Sequence, residues 1–327
     1  SSLACDILPS MLQSSMPFIY PFRQGLEGAF LMAESGEEET TMEETAGRGF
    51  RNFAGRIAVI TGAGSGIGRA LALTAAARGM RLALLDVDVD GLEETRGLLA
   101  GDGGKPLIRR CDVSKAEDVQ TAADAIFAEM GNVHLLFNNA GVAVGGYSWL
   151  TTVDDWQWSL GVNLMGVANG IRSFVPRMIA AGEEGRVVNT ASVAGFLSVP
   201  GSSVYCATKH AVVTLSECLR HELAIEGARI GVSVLCPAFA PTGIADAERN
   251  RPAGLGAKNP SAGLFDTRLR KAVESGRLTA DDIARITFVG IEAGRFYILT
   301  HPKIKAAIAT RMEDILEERT PTDTVPR

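Results

Sequence analysis

Short apolar runs alternate with longer amphipathic stretches along most of the chain from residue 56 onwards. The short runs are apolar throughout and rich in β-branched residues, which is typical of strands buried on both faces of a parallel sheet. The stretches between them are rich in Ala and Leu, as expected for helices that pack on such a sheet. Strands are predicted at 57–60, 81–85, 106–110, 133–137, 185–190 and 230–235, and helices at 67–79, 88–100, 115–130, 153–181 and 203–226. This alternation predicts an α/β fold, a doubly wound parallel sheet with helices on both faces in a single domain.

The beginning of the chain does not follow this pattern. Residues 1–34 have no sustained period, and residues 35–45 form an acidic, low-complexity run that is typical of disorder. We therefore expect residues 1–50 to be an N-terminal extension, disordered or non-native, with Met32 or Met42 as candidate natural starts.

After the extension, we expect a domain at 51–300 and a C-terminal helix and tail at 301–327. Within the domain, residues 243–275 have few strong periodicities and are predicted to form a long loop, and long loops in compact domains are usually functional or disordered.

Eight apolar residues lie in and near this loop. Each of them taken singly is better explained as a core residue, but together they indicate a roomy apolar pocket. They are Phe239, Leu255, Leu264, Phe265, Phe196, Val144, Tyr147 and Trp149. No cluster of Arg or Lys is evident there.

Composition narrows the classes of function. The 327 residues carry a net charge of −6, whereas nonspecific nucleic-acid binding needs a basic surface. No uncharged apolar run is long enough to span a membrane. The five cysteines and four histidines show neither a C-x-x-C pair nor a metal-ligand spacing, so no metal site is predicted. Scattered cysteines of odd number fit a reducing, cytoplasmic compartment.

A glycine-rich loop, residues 61–68, follows the first predicted strand and opens the first helix. Its glycines allow a tight turn and a close approach to a pyrophosphate, and the helix N-terminus offers free N–H groups. Asp86 ends the second strand, where a carboxylate binds a ribose 2′-hydroxyl and repels a 2′-phosphate. Since neither Ser65 nor Val87 is basic, NAD is predicted in preference to NADP. The predicted contacts are Gly62, Ser65, Gly66, Ile67, Gly68 and Asp86.

Three further polar residues near strand ends have more than one interpretation. Asp112 is positioned to accept a hydrogen bond from the adenine amine or to cap the next helix, although Ser114 suits the cap better. Asn139, in the run Asn138–Gly141, holds the loop against a cofactor or marks a plain turn. Arg69 opposes the dipole of the first helix, and its contact is either solvent or phosphate. Because such sheets bind ligands beyond the carboxyl ends of their strands, cofactor contacts are favoured for Asp112 and Asn139.

A phenol and an ammonium group stand one helical turn apart at Tyr205 and Lys209, and Ser192 ends the preceding strand. Residues four apart share a helix face. A cation beside a phenol lowers its pKa from about 10, so Tyr205 would exchange protons near neutral pH. The motif alone is common on solvated helix faces, and only the surrounding pattern favours catalysis.

Together these motifs resemble the single-domain branch of the short-chain dehydrogenase/reductase family over residues 55–245. The resemblance implies a Rossmann fold in which Ser192 orients a substrate oxygen and Tyr205 exchanges a proton with it. It also implies that Lys209 lowers the Tyr205 pKa and that Asn163 binds, through its helix, a water linked to Lys209. The implied cofactor contacts add Asp112, Val113, Asn139, Ala140, Gly141, Tyr205, Lys209, Pro237 and Thr242.

The implied function is hydride transfer between NAD(H) and a secondary alcohol or ketone with a fairly apolar or aryl body. Residues 156–170 and 296–302 give a weaker resemblance to a subgroup that includes dehydrogenases of benzylic aryl-ether alcohols. The family also implies a substrate lid at 243–275 and a homodimer or homotetramer paired through helices 153–181 and 203–226. An NADP(H)-dependent carbonyl reductase and a catalytically silent nucleotide-binding protein are the alternatives.

One residue departs from the family pattern. The family usually has glycine after the proline that follows the sixth strand, but here Ala238 follows Pro237. Alanine lacks the conformational freedom of glycine, so the shape of this turn is left open.

Overall fold

The computed structural model describes residues 49–99, 105–256 and 258–323, so the predicted extension lies almost entirely outside the described residues. Within them, seven parallel strands form a sheet in the order β3-β2-β1-β4-β5-β6-β7. The order reverses between β1 and β4, and ligands of doubly wound sheets bind at such a switch point. The strands are β1 (Ile57–Thr61), β2 (Arg81–Asp86), β3 (Leu107–Arg110), β4 (Leu135–Asn138), β5 (Gly185–Thr190), β6 (Ile230–Cys236) and β7 (Tyr297–Leu299).

Nine α-helices connect and follow the strands in the described ranges. They are α1 (Gly66–Ala76), α2 (Val89–Leu98), α3 (Ala116–Met130), α4 (Val153–Leu160), α5 (Gly166–Ala181), α6 (Ser203–Ile225), α7 (Ala262–Glu274), α8 (Ala280–Glu292) and α9 (Ile304–Leu316). None of the helices in this part of the chain is both long and apolar enough to cross a bilayer.

The sheet is buried on both faces, and each face has its own core. Successive residues of a strand point to opposite sides. In β1, Ala58 and Ile60 belong to the core that includes α1 and α8, whereas Ile57 and Val59 belong to the core that includes α3, α5 and α6. This explains why the central strands are largely apolar, whereas the edge strand β3 ends in the exposed Arg109 and Arg110. The predicted α/β fold with helices on both faces is confirmed.

The helix predicted at 153–181 is not continuous, because a π-helical segment, Gly161–Met165, joins α4 to α5. Gly166 begins α5 so close to Val113 that an added Cβ would lie 2.7 Å from Val113 Cγ2. The glycine thus allows α5 to approach the chain that follows β3. The wide π turn carries Asn163, whose side chain is buried.

The segment predicted as a loop at 243–275 is largely helical. A kinked 3₁₀ segment, Gly243–Asn250, leads to α7. The sequence pattern missed α7 because charged residues crowd its outer positions. Only widely spaced residues such as Phe265, Leu269 and Val273 mark its inner face. The other predicted elements agree with the structure to within a few residues.

Candidate active site

The glycine-rich loop lies between β1 and α1, and close backbone contacts explain its glycines. Gly62 has a φ of +68°, and an added Cβ there would lie 2.9 Å from the Cα of Ala140. A Cβ at Gly68 would lie 2.0 Å from the carbonyl oxygen of Gly62. Ser65 precedes α1 without forming a side-chain cap. The first N–H groups of α1 are therefore available to an anion such as a pyrophosphate.

Asp86 ends β2 and fastens this loop. One carboxylate oxygen accepts a hydrogen bond from the N–H of Gly64 at 2.8 Å, and the other accepts one from the N–H of Asp88 at 3.0 Å. Burial raises the pKa of Asp86 above its ordinary value, while these N–H donors oppose the shift. Each oxygen keeps a lone pair for a hydroxyl donor, so the geometry fits a ribose contact.

Arg69 ties the glycine-rich loop to α2. Its guanidinium donates to the carbonyl oxygens of Gly64 and Gly91, to the hydroxyl of Thr95 at 2.9 Å and to the carboxylate of Glu94 at 2.8 Å. These contacts answer the question that the sequence left open. The guanidinium is held by protein oxygens, and its role is structural.

Asp112 follows β3 and forms a local turn. It accepts hydrogen bonds from the hydroxyl and the N–H of Ser114, at 2.6 Å and 3.1 Å. The residue that precedes α3 is Lys115, which forms no side-chain cap, so both alternatives, a helix cap at Asp112 and one at Ser114, are wrong. The other carboxylate oxygen of Asp112 lies 3.8 Å from Lys115 Nζ.

Asn139 follows β4 and fixes its loop to both neighbouring strands. It donates to the carbonyl oxygen of Thr61 at 3.1 Å and accepts from the hydroxyl of Thr190 at 3.2 Å. The Thr61 hydroxyl in turn accepts the N–H groups of Asn139 and Ala140. Residues Asn139, Ala140 and Gly141 therefore form a fixed wall of the cavity, and a contact between Asn139 and a cofactor stays a prediction.

Asn163 is buried, and both ends of its amide are engaged. Its Oδ1 accepts the N–H of Val142 at 2.8 Å, and its Nδ2 donates to the Val142 carbonyl at 2.9 Å and to the Thr208 hydroxyl at 3.1 Å. These bonds join the loop after β4 to α6. Since the side chain is fully used, a water at Asn163 would bind to its backbone, which is compatible with a role through its helix.

Ser192, Tyr205 and Lys209 come together from two segments. Ser192 follows β5, and the other two residues lie in the first turns of α6. Lys209 Nζ lies 5.6 Å from the ring centroid of Tyr205 and donates to the carbonyl oxygen of Thr190 at 2.9 Å. Ser192 Oγ donates to the carbonyl oxygen of Pro237 at 3.2 Å. The structure thus places a phenol, a hydroxyl and an ammonium group at one site.

Burial sets the pKa values of this cluster. It raises the pKa of Tyr205 to about 12, and a hydrogen bond with the Ser192 hydroxyl opposes the shift. Burial also lowers the pKa of Lys209 to about 8. The prediction that the Tyr205 pKa is lowered is therefore wrong for this structure, because the lost hydration of the phenolate dominates. Near neutral pH, Tyr205 holds its proton and Lys209 is mostly charged.

Most of these groups line one cavity of about 1470 Å³. Its "sheet end" is formed by the glycine-rich loop, Asp86 and the chain after β3 and β4; its "outer end" is formed by residues 243–275 and neighbouring loops. Of the site residues predicted from the sequence, Gly68 and Asn163 do not line the cavity but support residues that do. Of the predicted pocket residues, Val144, Tyr147, Phe239 and Phe265 line it, and Phe196, Trp149, Leu255 and Leu264 do not.

Sequence reasoning missed several lining residues at the outer end. The apolar ones include Trp158, Leu197 and Leu269. Three cations, Arg249, Arg268 and Lys271, also line it, so the expectation of no cationic cluster is wrong. The helical spacing of Phe265 and Leu269 was the signal that could have revealed the inner face of α7.

Ala238 adopts no conformation that needs glycine, since Glu318 is the only non-glycine residue with a positive φ in the described ranges. Its N–H donates to Nδ1 of His301 at 3.3 Å, and that nitrogen also lies 2.8 Å from the Thr300 hydroxyl. The turn after Pro237 therefore accommodates a methyl group and is held by the segment after β7.

Known proteins match this chain in both sequence and structure. A family model described as short chain dehydrogenase matches residues 56–253. The structure of a short chain dehydrogenase/reductase from Burkholderia phymatum in complex with NAD is 50% identical, with a TM-score of 0.82 over 85% of this chain and 100% of that one. The CLA biosynthesis dehydrogenase/reductase of Lactiplantibacillus plantarum is 32% identical over 83% of this chain and 96% of that protein. The C alpha-dehydrogenase of Sphingobium sp. strain SYK-6 is 32% identical over 84% and 90%.

Proposed function

Because the chain belongs to the short-chain dehydrogenase/reductase family of oxidoreductases, we propose that it transfers a hydride between NAD(H) and a secondary alcohol or ketone. The observation that carries the proposal is the meeting of Ser192, Tyr205 and Lys209 on one cavity, between a glycine-rich loop and an apolar outer end. Such a cluster offers an acid–base group, an orienting hydroxyl and a fixed positive charge within one pocket.

In the proposed mechanism, the protein supplies orientation and proton transfer. Ser192 donates a hydrogen bond to the substrate oxygen and fixes its position. In ketone reduction the Tyr205 phenol gives its proton to that oxygen, and in alcohol oxidation the phenolate takes the proton back. Lys209 holds a positive charge beside the phenolate as it forms. The cofactor, when bound, supplies the hydride chemistry at the carbon that bears the oxygen.

The residues of the sheet end fit a dinucleotide. The uncapped N-terminus of α1 suits the pyrophosphate, and Ser65, Gly66 and Ile67 all line the cavity there. Asp86 keeps acceptor capacity for a ribose hydroxyl and would repel a 2′-phosphate. We therefore propose NAD in preference to NADP. The Burkholderia phymatum relative, whose structure was solved with NAD, supports this choice.

The outer end favours a substrate with a fairly apolar body. Val144, Trp158 and Phe265 line it and are all buried, so a hydrocarbon or aryl group would gain contact and lose hydration there. We propose that residues 243–275 act as the substrate lid, since many of them, among them Ala247, Phe265 and Leu269, line this end of the cavity.

A panel of aryl and alicyclic secondary alcohols and their ketones, followed by NADH absorbance, tests the proposal. We expect turnover of at least one class and a higher kcat/KM with NAD than with NADP. A strong NADP preference would refute the role of Asp86 and favour a carbonyl reductase. NADH binding without any turnover would favour the catalytically silent alternative.

Assembly and location remain predictions. A homodimer or homotetramer paired through α4, α5 and α6 is proposed from the family resemblance, and light scattering with size-exclusion chromatography would measure it. A monomeric protein would contradict the proposed assembly. A cytoplasmic location is likewise proposed from the cysteine pattern, and a protein linked by disulfides would contradict it.

A further inference from the structure

The face of α7 that lines the cavity carries positive charge as well as apolar side chains. Phe265, Arg268, Leu269 and Ala272 all line the cavity, and residues at these spacings share one helix face. Lys271 lines the cavity from the edge of the same face. Hydrocarbon and cationic groups therefore border the outer end together.

Two carboxylates of this region are paired with other cations. Asp266 pairs with Lys258 at 2.9 Å, and Asp246 pairs with Arg270 at 2.7 Å. In contrast, neither Arg268 nor Lys271 forms an ion pair with any carboxylate in the described ranges. Arg268 and Lys271 are therefore the cations of α7 that border the cavity, whereas Arg270 is paired with Asp246 away from it.

A third cation adds to the same border. Arg249 lies over the backbone of Gly243 and donates to the carbonyl oxygens of Gly243 and Asp246, at 2.8 Å and 3.0 Å. Asp323 is the only carboxylate among the described lining residues after Gly243. The outer end therefore has three cationic side chains and one carboxylate around an apolar interior.

Arg268 and Lys271 are exposed and one helical turn apart, where like charges repel each other weakly, so an anion bound by both would relieve that repulsion. Resting on the proposed function, we infer that the substrate is an amphipathic acid. Its oxidisable alcohol or ketone lies at Tyr205, its apolar body lies along the outer end, and its carboxylate lies at Arg268 and Lys271. A guanidinium fork and an ammonium group both bind a carboxylate well.

The cofactor is a poorer explanation of these cations. Its pyrophosphate is assigned to the N-terminus of α1, whereas Phe265 of α7 packs against Gly145 and Gly201 and lines the outer end. An anion held by α7 would therefore belong to the molecule that occupies the outer end.

A matched pair of probes tests the inference. Secondary hydroxy acids, with the hydroxyl at varied distances from the carboxylate, are compared with their methyl esters. The wild type should prefer an acid to its ester in kcat/KM. In the double variant Arg268→Gln and Lys271→Gln, the ratio of acid to ester should fall by about tenfold, as two exposed charge pairs are lost. Arg270→Gln is the control, because Arg270 is on the same helix but does not line the cavity, and it should keep the wild-type ratio.

Binding measurements separate the failure of this inference from the failure of the proposed function. Simple fatty acids and their methyl esters are titrated calorimetrically into the NADH-loaded protein, and acids should bind more tightly in the wild type than in the double variant. Turnover of esters without any preference for acids would overturn the inference and leave the function intact. Weaker NADH binding in the double variant would assign the cations to the cofactor and also overturn it. No turnover of any alcohol would refute the proposed function instead.

Discussion

The two ends of the cavity are built in different ways. The sheet end is made of backbone in close contact, as between Gly68 and the carbonyl of Gly62. The outer end is made of side chains from residues 243–275 that bond to α4 and the loop after β4. Backbone contacts of this kind accept few residue types, whereas side-chain networks accept many. The residues that form the sheet end can therefore be predicted from a single sequence, whereas those that form the outer end cannot.

Asp155, at the start of α4, is the centre of the outer network. It is 1% exposed, pairs with Arg251 at 2.9 Å and accepts a hydrogen bond from Asn259 at 3.0 Å. Asn259 also donates to the carbonyl oxygen of Gly145 at 2.9 Å. Burial alone would raise the pKa of Asp155, but bonds from the Thr152 N–H, Asn259 and Arg251 lower it. One ionised carboxylate thus fastens two points of the 243–275 segment to the rest of the domain.

The largest expected effect is at the sheet end. In Gly68→Ala the new methyl group would lie 2.0 Å from the Gly62 carbonyl oxygen, so α1 must shift and NADH affinity should fall by at least about a hundredfold. Gly97→Ala is the matched control, because Gly97 is also helical and has no atom within 4 Å of an added Cβ. It should stabilise the fold by about 0.5–1 kcal/mol and leave NADH binding unchanged. Equal NADH affinity in the two variants would contradict the claim that close packing of the glycine-rich loop excludes a side chain at residue 68.

The next effect should be confined to the outer end. Asp155→Asn removes the nearer of the two carboxylates that pair with the buried Arg251 and leaves Glu248 at 3.5 Å, so the local cost should be at most the roughly 3 kcal/mol of a fully broken buried pair. We expect faster amide exchange in 243–275 and a substrate KM raised by about tenfold or more, with little change in NADH affinity. Asp246→Asn, which breaks an exposed pair with Arg270, should do much less. Loss of NADH binding in Asp155→Asn would show that the sheet end and the outer end are not independent of each other.

The smallest expected effect is the contribution of the buried Lys209 to the free energy of unfolding. Burial lowers its pKa from 10.5 to about 8, so at neutral pH the buried charge costs about 3 kcal/mol. The cost is complete below pH 8 and disappears as the pH rises towards 10.5, since the unfolded state then holds the extra proton.

Lys209→Met should remove this cost at the expense of the hydrogen bond to Thr190. We expect a gain of about 1–2 kcal/mol at pH 7 in the free energy of unfolding, together with loss of turnover. The gain should shrink as the pH rises through the window above. Denaturant titrations at several pH values measure it, and a gain that does not depend on pH would contradict the burial cost.

The same contrast explains what could be predicted from the sequence. Asp86, Asp112 and Asn139 lie at or just after the ends of predicted strands, so the strand pattern and chain order are enough to place them at one edge of the sheet. The pair of Asp155 and Arg251 joins residues 96 positions apart, and no local pattern indicates such a contact. The direction of the Tyr205 pKa was mispredicted for a related reason, because burial is a property of the packed domain.

The central claim is that Tyr205 is the proton donor and acceptor of a hydride-transfer site. Tyr205→Phe removes only the phenolic oxygen, and its turnover of any substrate found for the wild type is the most direct test. We expect kcat to fall by at least about a hundredfold, while the Kd for NADH, measured by fluorescence titration, stays close to that of the wild type. A Tyr205→Phe variant that keeps wild-type turnover would contradict the mechanism.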